Sequence, residues 1–311
     1  MRTARIPAMA NAHSHAFQID LRGIGERVGG PGAGDDFWSW RTEMYRLAAR
    51  HDPESMGAVG ARAYRAMAAA GYRAVGEFHY VVHQPDGTPY PDPNAMAIAL
   101  ARAAVGAGLE IVLLPAAYAR GGFQVELAEG QRRFVDPDVD VFLKRLDDLR
   151  AWAQDQPGVA VGVAVHSVRA VPAEWIEAVA RYAQEHDLVR HVHASEQVRE
   201  LDECWSEHGC SPVELLADCG YLSPRTSVVH GIHVSDRDIS LLAESNSIVV
   251  TCPTTEGNLG DGIFPGPRYR EAGVRIAIGT DSQVRIDPFE ELREMETLAR
   301  RQGQTRDALL A

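Results

Sequence analysis

The chain has 311 residues with 43 acidic and 31 basic side chains, which gives a formal charge of −12. A hydrophobic fraction of 45% is typical of a globular protein and excludes a disordered chain. The acidic balance disfavours nucleic acid as a partner, and no apolar run has the ~18 residues that a membrane helix needs. Since the N-terminal residues also contain no apolar run of signal-peptide length, we expect a cytoplasmic protein that does not act at a membrane.

Short apolar runs that are typical of buried strands alternate with amphipathic helical patterns. The strands are predicted at 7–13, 74–80, 109–115, 159–166, 191–195, 226–230, 247–252 and 274–279. The helices are predicted at 53–70, 93–107, 138–152, 172–186, 197–219, 235–244 and 288–301, with a flexible glycine-rich insertion at 29–34. This alternation predicts an α/β fold, a (β/α)8 TIM-type barrel formed as a single domain by residues 1–311. A doubly wound open sheet is the alternative, although the glycine-rich phosphate-binding fingerprint of that fold is missing.

The single lysine and the four cysteines of this chain are poor candidates for catalysis or metal binding. Lys144 is the only lysine, and it lies on the charged face of a predicted helix, so it is a poor candidate for a Schiff base or a metal ligand. The cysteines show no CxxC pair and no zinc-ribbon spacing, which indicates reduced thiols without an assigned function. They are Cys204, Cys210, Cys219 and Cys252.

Histidines follow the predicted strands at the points where the strands end. Seven of the 12 histidines occupy such positions, namely His13, His15, His79, His166, His193, His230 and His233. In a (β/α)8 barrel the carboxyl ends of the strands form the active site, so these side chains are expected at one mouth of the barrel. Such a concentration of imidazoles predicts metal chemistry there.

The first predicted strand ends in a His-x-His motif. His13 and His15 point to the same side of the strand, because side-chain direction alternates with a period of two. His193, His230 and Asp281 each end a different later strand and complete a candidate ligand set. Imidazoles together with a carboxylate favour zinc, with iron or manganese as alternatives. A site with an open coordination position would activate water.

Several longer segments carry a family resemblance. They are NAHSHAFQ, FWSWRTEMY, GEFHYVVHQPDGTPYPDPNAM, HSVRAVP, HVHASEQ, CPTTEGNLGDGIFP and IGTDSQ. Through them the chain resembles the amidohydrolase superfamily and, within it, the formimidoylglutamate deiminases of histidine degradation. The resemblance implies a metal-dependent hydrolase of an amidine C–N bond, which converts N-formimidoyl-L-glutamate to N-formyl-L-glutamate and ammonia.

The resemblance also implies roles for the strand-end residues. One zinc ion per chain is expected, because the carboxylated lysine of two-metal members has no counterpart where the fourth predicted strand ends. Glu196 is implied as a proton shuttle, His230 as a contact of the attacking oxygen, and Asp281 as both ligand and general base. The implied metal ligands are His13, His15, His193 and Asp281.

A small-molecule dicarboxylate is the implied partner, and its two carboxylates need cationic groups. Arg41 and Arg169 are the implied partners of these carboxylates, because a guanidinium can bind a carboxylate through two hydrogen bonds. Further substrate contacts are implied for Gln18, Tyr80 and His166. Glu256 and Asn258 are expected to shape the site without taking part in catalysis.

Members of this family usually carry a small flanking β domain, and we expect either that this domain is missing or truncated here or that the sequence is a fragment of a longer chain. We therefore expect an uncovered side of the barrel and, as one consequence, association into a homodimer. Two other functions stay open: a deaminase of a guanine-, pterin- or triazine-like heterocycle, and a truncated metal-binding barrel without activity.

Overall fold

A computed structural model describes residues 6–25 and 37–309, so the glycine-rich insertion predicted at 29–34 lies outside the described residues. The strands are β1 (Met9–Ser14), β2 (Tyr72–His79), β3 (Glu110–Ala117), β4 (Val159–Val161), β5 (Val163–Ser167), β6 (Arg190–Ala194), β7 (Thr226–His230), β8 (Ile248–Thr251) and β9 (Arg275–Ile278). The helices are α1 (Phe37–Ala48), α2 (Pro53–Ala70), α3 (Ala95–Gly106), α4 (Val139–Ala153), α5 (Ala173–Glu185), α6 (Val198–His208), α7 (Pro212–Asp218), α8 (Asp236–Glu244), α9 (Pro253–Leu259), α10 (Gly266–Glu271) and α11 (Pro288–Gly303). Two 3-10 helices span Ala16–Leu21 and Glu129–Phe134.

The strands form one parallel sheet in the order β1-β2-β3-β5-β6-β7-β8-β9, with β4 paired to β3. Backbone hydrogen bonds bring its two edges together: Asp281 N–H donates to His13 O and His15 N–H donates to Asp281 O, both at 3.0 Å. The result is a nearly closed barrel surrounded by helices, which confirms the predicted (β/α)8 fold and contradicts the open-sheet alternative. Within the described ranges every strand belongs to this sheet, and no flanking β domain is present.

The strand predicted at 159–166 is interrupted at Gly162, and β4 and β5 pair separately with β3. At this point the backbone packs against neighbouring strands: a Cβ on Gly162 would lie 2.8 Å from Val189 O and 2.9 Å from Leu114 Cδ2. Only glycine fits such a close approach, and it weakens the strand where it occurs.

The helix predicted at 197–219 is wrong, because two helices occupy this segment. α6 ends at Gly209, which has a left-handed φ of 70°, and Pro212 begins α7. The Ser211 side chain accepts a hydrogen bond from the Glu214 backbone, and the Glu214 side chain accepts one from the Ser211 backbone. This capping box and the left-handed glycine are ordinary stop and start signals that the apolar periodicity of the segment concealed.

Helix α2 shows how local signals fix an element that then packs in the core. Asp52 caps its N-terminus together with Ser55, and Gly71 ends it with a φ of 103°. Its buried face includes Met56 and Met67, which belong to the apolar cluster between the helices and the barrel. In the part of the chain that the structure describes, no helix combines the length and the apolar character needed to span a bilayer.

Candidate metal centre and active site

Three imidazole nitrogens and one carboxylate oxygen meet at the carboxyl end of the barrel. The Nε2 atoms of His13, His15 and His193 lie 3.1–3.3 Å from one another. Asp281 Oδ1 lies 3.4 Å from His13 Nε2 and 3.3 Å from His15 Nε2. All four side chains are buried. The structure therefore brings together the four ligands that the family resemblance implies, and it places His230, the fifth candidate from the strand ends, in a separate neighbouring cluster.

Backbone carbonyls orient the imidazole rings of His15 and His193. His15 Nδ1 donates to Phe78 O at 2.9 Å, and His193 Nδ1 donates to His166 O at 2.8 Å. With the protons on Nδ1, both rings direct the lone pair of Nε2 into the cluster, an arrangement usual for metal-ligating histidines. Burial lowers the pKa of His13, lowers that of His15 to about 3, and holds that of His193 well below its ordinary value, so all three rings are neutral at neutral pH.

This donor set fits a divalent metal ion. Ligands bound tetrahedrally at about 2.0–2.1 Å are separated by about 3.3 Å, which matches the distances among these four atoms. Lone pairs that converge without a proton between them repel one another, and a cation at their centre removes this repulsion. Three imidazoles and a carboxylate suit zinc and also iron or manganese.

A buried hydrogen-bond chain joins the first and last strands beside the ligands. We call its members, Asn11, Ser14, Glu77, Thr280 and Gln283, the closure network. Gln283 Nε2 donates to Ser14 Oγ at 2.9 Å, and Ser14 Oγ donates to Glu77 Oε2 at 2.7 Å. Because Ser14 lies between His13 and His15, and Thr280 precedes Asp281, the network fixes the ligands from both sides of the seam. Sequence reasoning missed its role, since Ser, Thr and Gln carry no distinctive spacing.

A second cluster of ionisable groups adjoins the ligands. His230 Nε2 lies 3.5 Å from Glu196 Oε1, and His230 Nδ1 lies 3.2 Å from Glu256 Oε1. Although burial acts to lower it, the charges of Glu196 and Glu256 raise the pKa of His230 to about 10. Burial raises the pKa of Glu196, the residue that the sequence singled out as a proton shuttle. The pair can thus hold and move a proton beside the ligands.

Asp261 is a member of this second cluster that sequence reasoning missed. One of its carboxylate oxygens lies within 4.8 Å of a carboxylate oxygen of Glu196 and of a ring nitrogen of His230. Its carboxylate also accepts a hydrogen bond from the Gln197 side chain. Burial, followed by the charge of Glu196, raises the pKa of Asp261 to about 9. His233, which was predicted at the mouth, instead donates its Nε2–H to Asp261 O at 2.7 Å.

The pocket in front of the ligands contains every residue for which a substrate contact was predicted, namely Gln18, Arg41, Tyr80, His166 and Arg169. Gln18 Nε2 donates to Tyr80 OH at 3.0 Å, and the His166 ring lies edge-on to Tyr80 and Tyr118. Arg169 is buried, and Arg41 is half-buried over the Trp38 ring at 4.5 Å. Two guanidinium groups therefore face one pocket.

Not every predicted strand-end residue reaches this pocket. His79 is buried on the far side of β2, where Arg145 and Arg133 add to the effect of burial and lower its pKa to about 3. Glu256 lies behind His230, where it accepts hydrogen bonds from Thr251 Oγ1 and the Cys252 backbone. The alternation of side chains along β2 explains the position of His79, whereas Glu256 lies on helix α9.

The barrel and its buried cluster of three histidines and one aspartate define the metal-dependent hydrolase class. The model of the Amidohydrolase family matches residues 5–309, and the chain belongs to this family. The chain is 39% identical over 307 residues to the formimidoylglutamate deiminase of Pseudomonas aeruginosa, covering 98% of this chain and 67% of that protein. These matches support a hydrolase that acts on C–N bonds.

Two solved structures have a similar fold. The crystal structure of an amidohydrolase from Brucella melitensis has a TM-score of 0.93 at 40% identity and covers 98% of this chain and 67% of that one. An adenosine deaminase from Xanthomonas campestris, solved with bound zinc, has a TM-score of 0.81 at 23% identity and covers 97% of this chain. The present chain spans 62% of the length of that deaminase, whose likeness shows the fold alone.

Proposed function

We propose that the protein is a zinc-dependent deiminase that hydrolyses N-formimidoyl-L-glutamate to N-formyl-L-glutamate and ammonia, a reaction of histidine degradation. The observation that carries the proposal is the position of Arg169, whose Nη2 lies 3.8 Å from Glu196 Oε2 in the pocket that the metal ligands face. A cation for a carboxylate thus adjoins the group suited to move a proton. The deiminase relative supports the same substrate class.

The arginines at one end of the pocket and the metal ligands at the other determine how the substrate is oriented. Arg169 and Arg41 bind the carboxylates of the substrate, since charge-assisted hydrogen bonds to guanidinium are strong and directional. Gln18, Tyr80 and His166 contact the substrate between the arginines and the ligand cluster. The amidine carbon then lies next to Glu196 and His230. This orientation converts binding energy into alignment of the reacting atoms.

Proton movement is assigned to the residues beside the ligands. When bound, the zinc ion supplies Lewis-acid activation of water and of the amidine. The attacking water gives one proton to Asp281 and one to Glu196, and both protons pass to the imino nitrogen by way of Glu196, so that this nitrogen leaves as ammonia. His230, held between Glu196 and Glu256, donates a hydrogen bond to the attacking oxygen and stabilises its charge. The nitrogen leaves as ammonia while the carbon keeps the oxygen.

The direct test is ammonia release from N-formimidoyl-L-glutamate by zinc-loaded protein, with the metal-free protein and Glu196→Gln as negative controls. The proposal expects release that depends on both the metal and Glu196. Absence of release, together with normal turnover of a guanine or triazine substrate, would contradict the substrate assignment. Metal analysis of the same preparation distinguishes zinc from iron and manganese. A folded protein that neither holds nor takes up metal would leave the inactive-barrel alternative.

A heterocycle deaminase is the second candidate, and the aromatic wall of the pocket favours it. Phe37, Trp40, Tyr45, Tyr80 and Tyr118 line the space beside the ligands, and a planar ring could stack there. Two cationic side chains in the same pocket argue instead for an anionic substrate. The homodimer and the cytoplasmic location expected from the sequence stay predictions.

A further inference from the structure

Helix α6 presents one buried and one half-buried acidic side chain to the loop that follows β5. Glu200 is fully buried in the first turn of the helix, and Glu207 follows seven residues later on the same face. Glu207 pairs with Arg120 at 2.7 Å, and Arg120 donates to the backbone oxygens of Arg169 and Val168. Through these contacts α6 holds the backbone of the loop that carries Arg169.

Glu200 contacts the other end of the same arginine. Its Oε2 lies 3.5 Å from Arg169 Nη1 and accepts a hydrogen bond from the Glu196 backbone at 3.2 Å. Burial by itself lowers the pKa of the Arg169 guanidinium, but the charges of Glu200 and then Glu196 raise it. Glu200 belongs neither to the ligand cluster nor to the residues that line the pocket.

The guanidinium of Arg169 lies between two carboxylates without a close hydrogen bond to either. Its separations from Glu200 and Glu196 are 3.5 and 3.8 Å, and Nη1 is buried without a hydrogen-bond partner. The Arg169 Cζ lies over the Phe37 ring, 5.6 Å from its centre. A buried donor without a partner is costly, so Arg169 is a group prepared to bind an incoming anion.

We propose that Glu200 is a positioning residue, which keeps Arg169 from forming a close ion pair with Glu196 and so determines specificity for a substrate carboxylate. This inference rests on the proposed function. Without the charge of Glu200, the remaining attraction draws Arg169 to Glu196. A close ion pair between these two side chains would occupy the anion-binding donors and hold the proton shuttle in its charged form.

Glu200→Gln is the informative variant, because it keeps the size of the side chain and an acceptor for the Glu196 backbone while removing the charge. We expect its KM for N-formimidoyl-L-glutamate to rise about 10- to 100-fold, as for the loss of a charge-assisted hydrogen bond, with a smaller change in kcat. Asp202→Asn is the matched control, since Asp202 is an exposed carboxylate on the same helix. Metal content and thermal unfolding are measured on each variant to separate positioning from folding.

Two further variants test whether Glu200 acts through Arg169. Glu200→Asp keeps the charge and should recover much of the lost affinity. In an Arg169→Gln background, Glu200→Gln should cause no further rise in KM, because the group that it positions is already gone. Additive effects of the two substitutions would overturn the inference, and so would an equal loss in Glu200→Asp and Glu200→Gln.

The experiment separates this inference from the proposed function on which it rests. If the zinc-loaded wild-type protein releases no ammonia from N-formimidoyl-L-glutamate, the proposed function fails and the inference falls with it. If the wild type is active and Glu200→Gln behaves like Asp202→Asn, the inference alone is overturned. N-formimidoyl-4-aminobutyrate and N-formimidoyl-2-aminobutyrate each lack one carboxylate, and the KM for one of them should be insensitive to Glu200→Gln.

Discussion

The metal end and the carboxylate end of the pocket are held in different ways. His13 and His193 lie within strands, and Asp281 is hydrogen-bonded to the first strand through its backbone, so hydrogen-bonded backbone fixes the ligand atoms 3.1–3.4 Å apart. Arg41 lies on α1 and Arg169 lies in a loop. The ionic contacts of Arg169 are 3.5 Å to Glu200 and 3.8 Å to Glu196, and the Arg41 Cζ lies 4.5 Å from the centre of the Trp38 ring. The barrel thus positions the chemistry rigidly, while helices and loops set the choice of substrate.

The largest effect on activity is expected when one of the metal ligands is removed. His193→Ala removes one of the four ligand atoms, and we expect a loss of metal and a fall in kcat/KM of at least about a thousand-fold, because Lewis-acid activation contributes several kcal/mol. Metal analysis and ammonia release check this on one preparation. Retained activity in a variant without metal would refute the assignment of the ligand cluster.

Glu196→Gln tests the proton shuttle, which lies between the metal ligands and Arg169. Its amide cannot move a proton, so we expect kcat to fall by about 10²–10⁴ while the metal stays bound. Steady-state kinetics and metal content measured together are required. A rise in KM with unchanged kcat would show that Glu196 serves substrate binding instead of proton transfer.

Arg169→Gln tests the carboxylate end alone. The loss of a charge-assisted hydrogen bond of about 1.5–3 kcal/mol should raise KM about 10- to 100-fold with metal content unchanged. Arg181→Gln, an exposed change on α5, serves as a control for folding. Equal kinetics in Arg169→Gln and the wild type would remove Arg169 from the substrate site.

Gln283→Ala is expected to have the smallest effect on activity, because Gln283 belongs to the closure network that supports the metal ligands. It removes one hydrogen-bond partner each from the buried Thr280 Oγ1 and Ser14 Oγ, which should lower the free energy of unfolding by about 1–3 kcal/mol. At saturating metal the kcat should change little. Urea unfolding compares it with Gln154→Ala, an exposed change at the end of α4. Equal unfolding midpoints in the two variants would show that the closure network does not stabilise the seam.

The ligand set was accessible from the sequence because the same physical rule places all its members. Parallel strands end at one edge, so these four ligands could be grouped together with His230 before any distance was known, and the family resemblance then separated His230 from the ligands. Glu77, Glu200 and Asp261 could not be recognised in this way. Each is a carboxylate whose importance comes from burial and from what it faces, and neither property is encoded in local spacing.

Local sequence by itself determined the alternation of strands and helices, the start and end of α2, and the convergence of the strand-end histidines, because propensity, capping and strand direction are short-range properties. Only the tertiary structure decided which neighbouring residues separate, as His79 does from the pocket, and which distant ones meet, as Glu200 does with Arg169. The physical reason is that burial and charge pairing depend on packing between elements, which no single segment specifies.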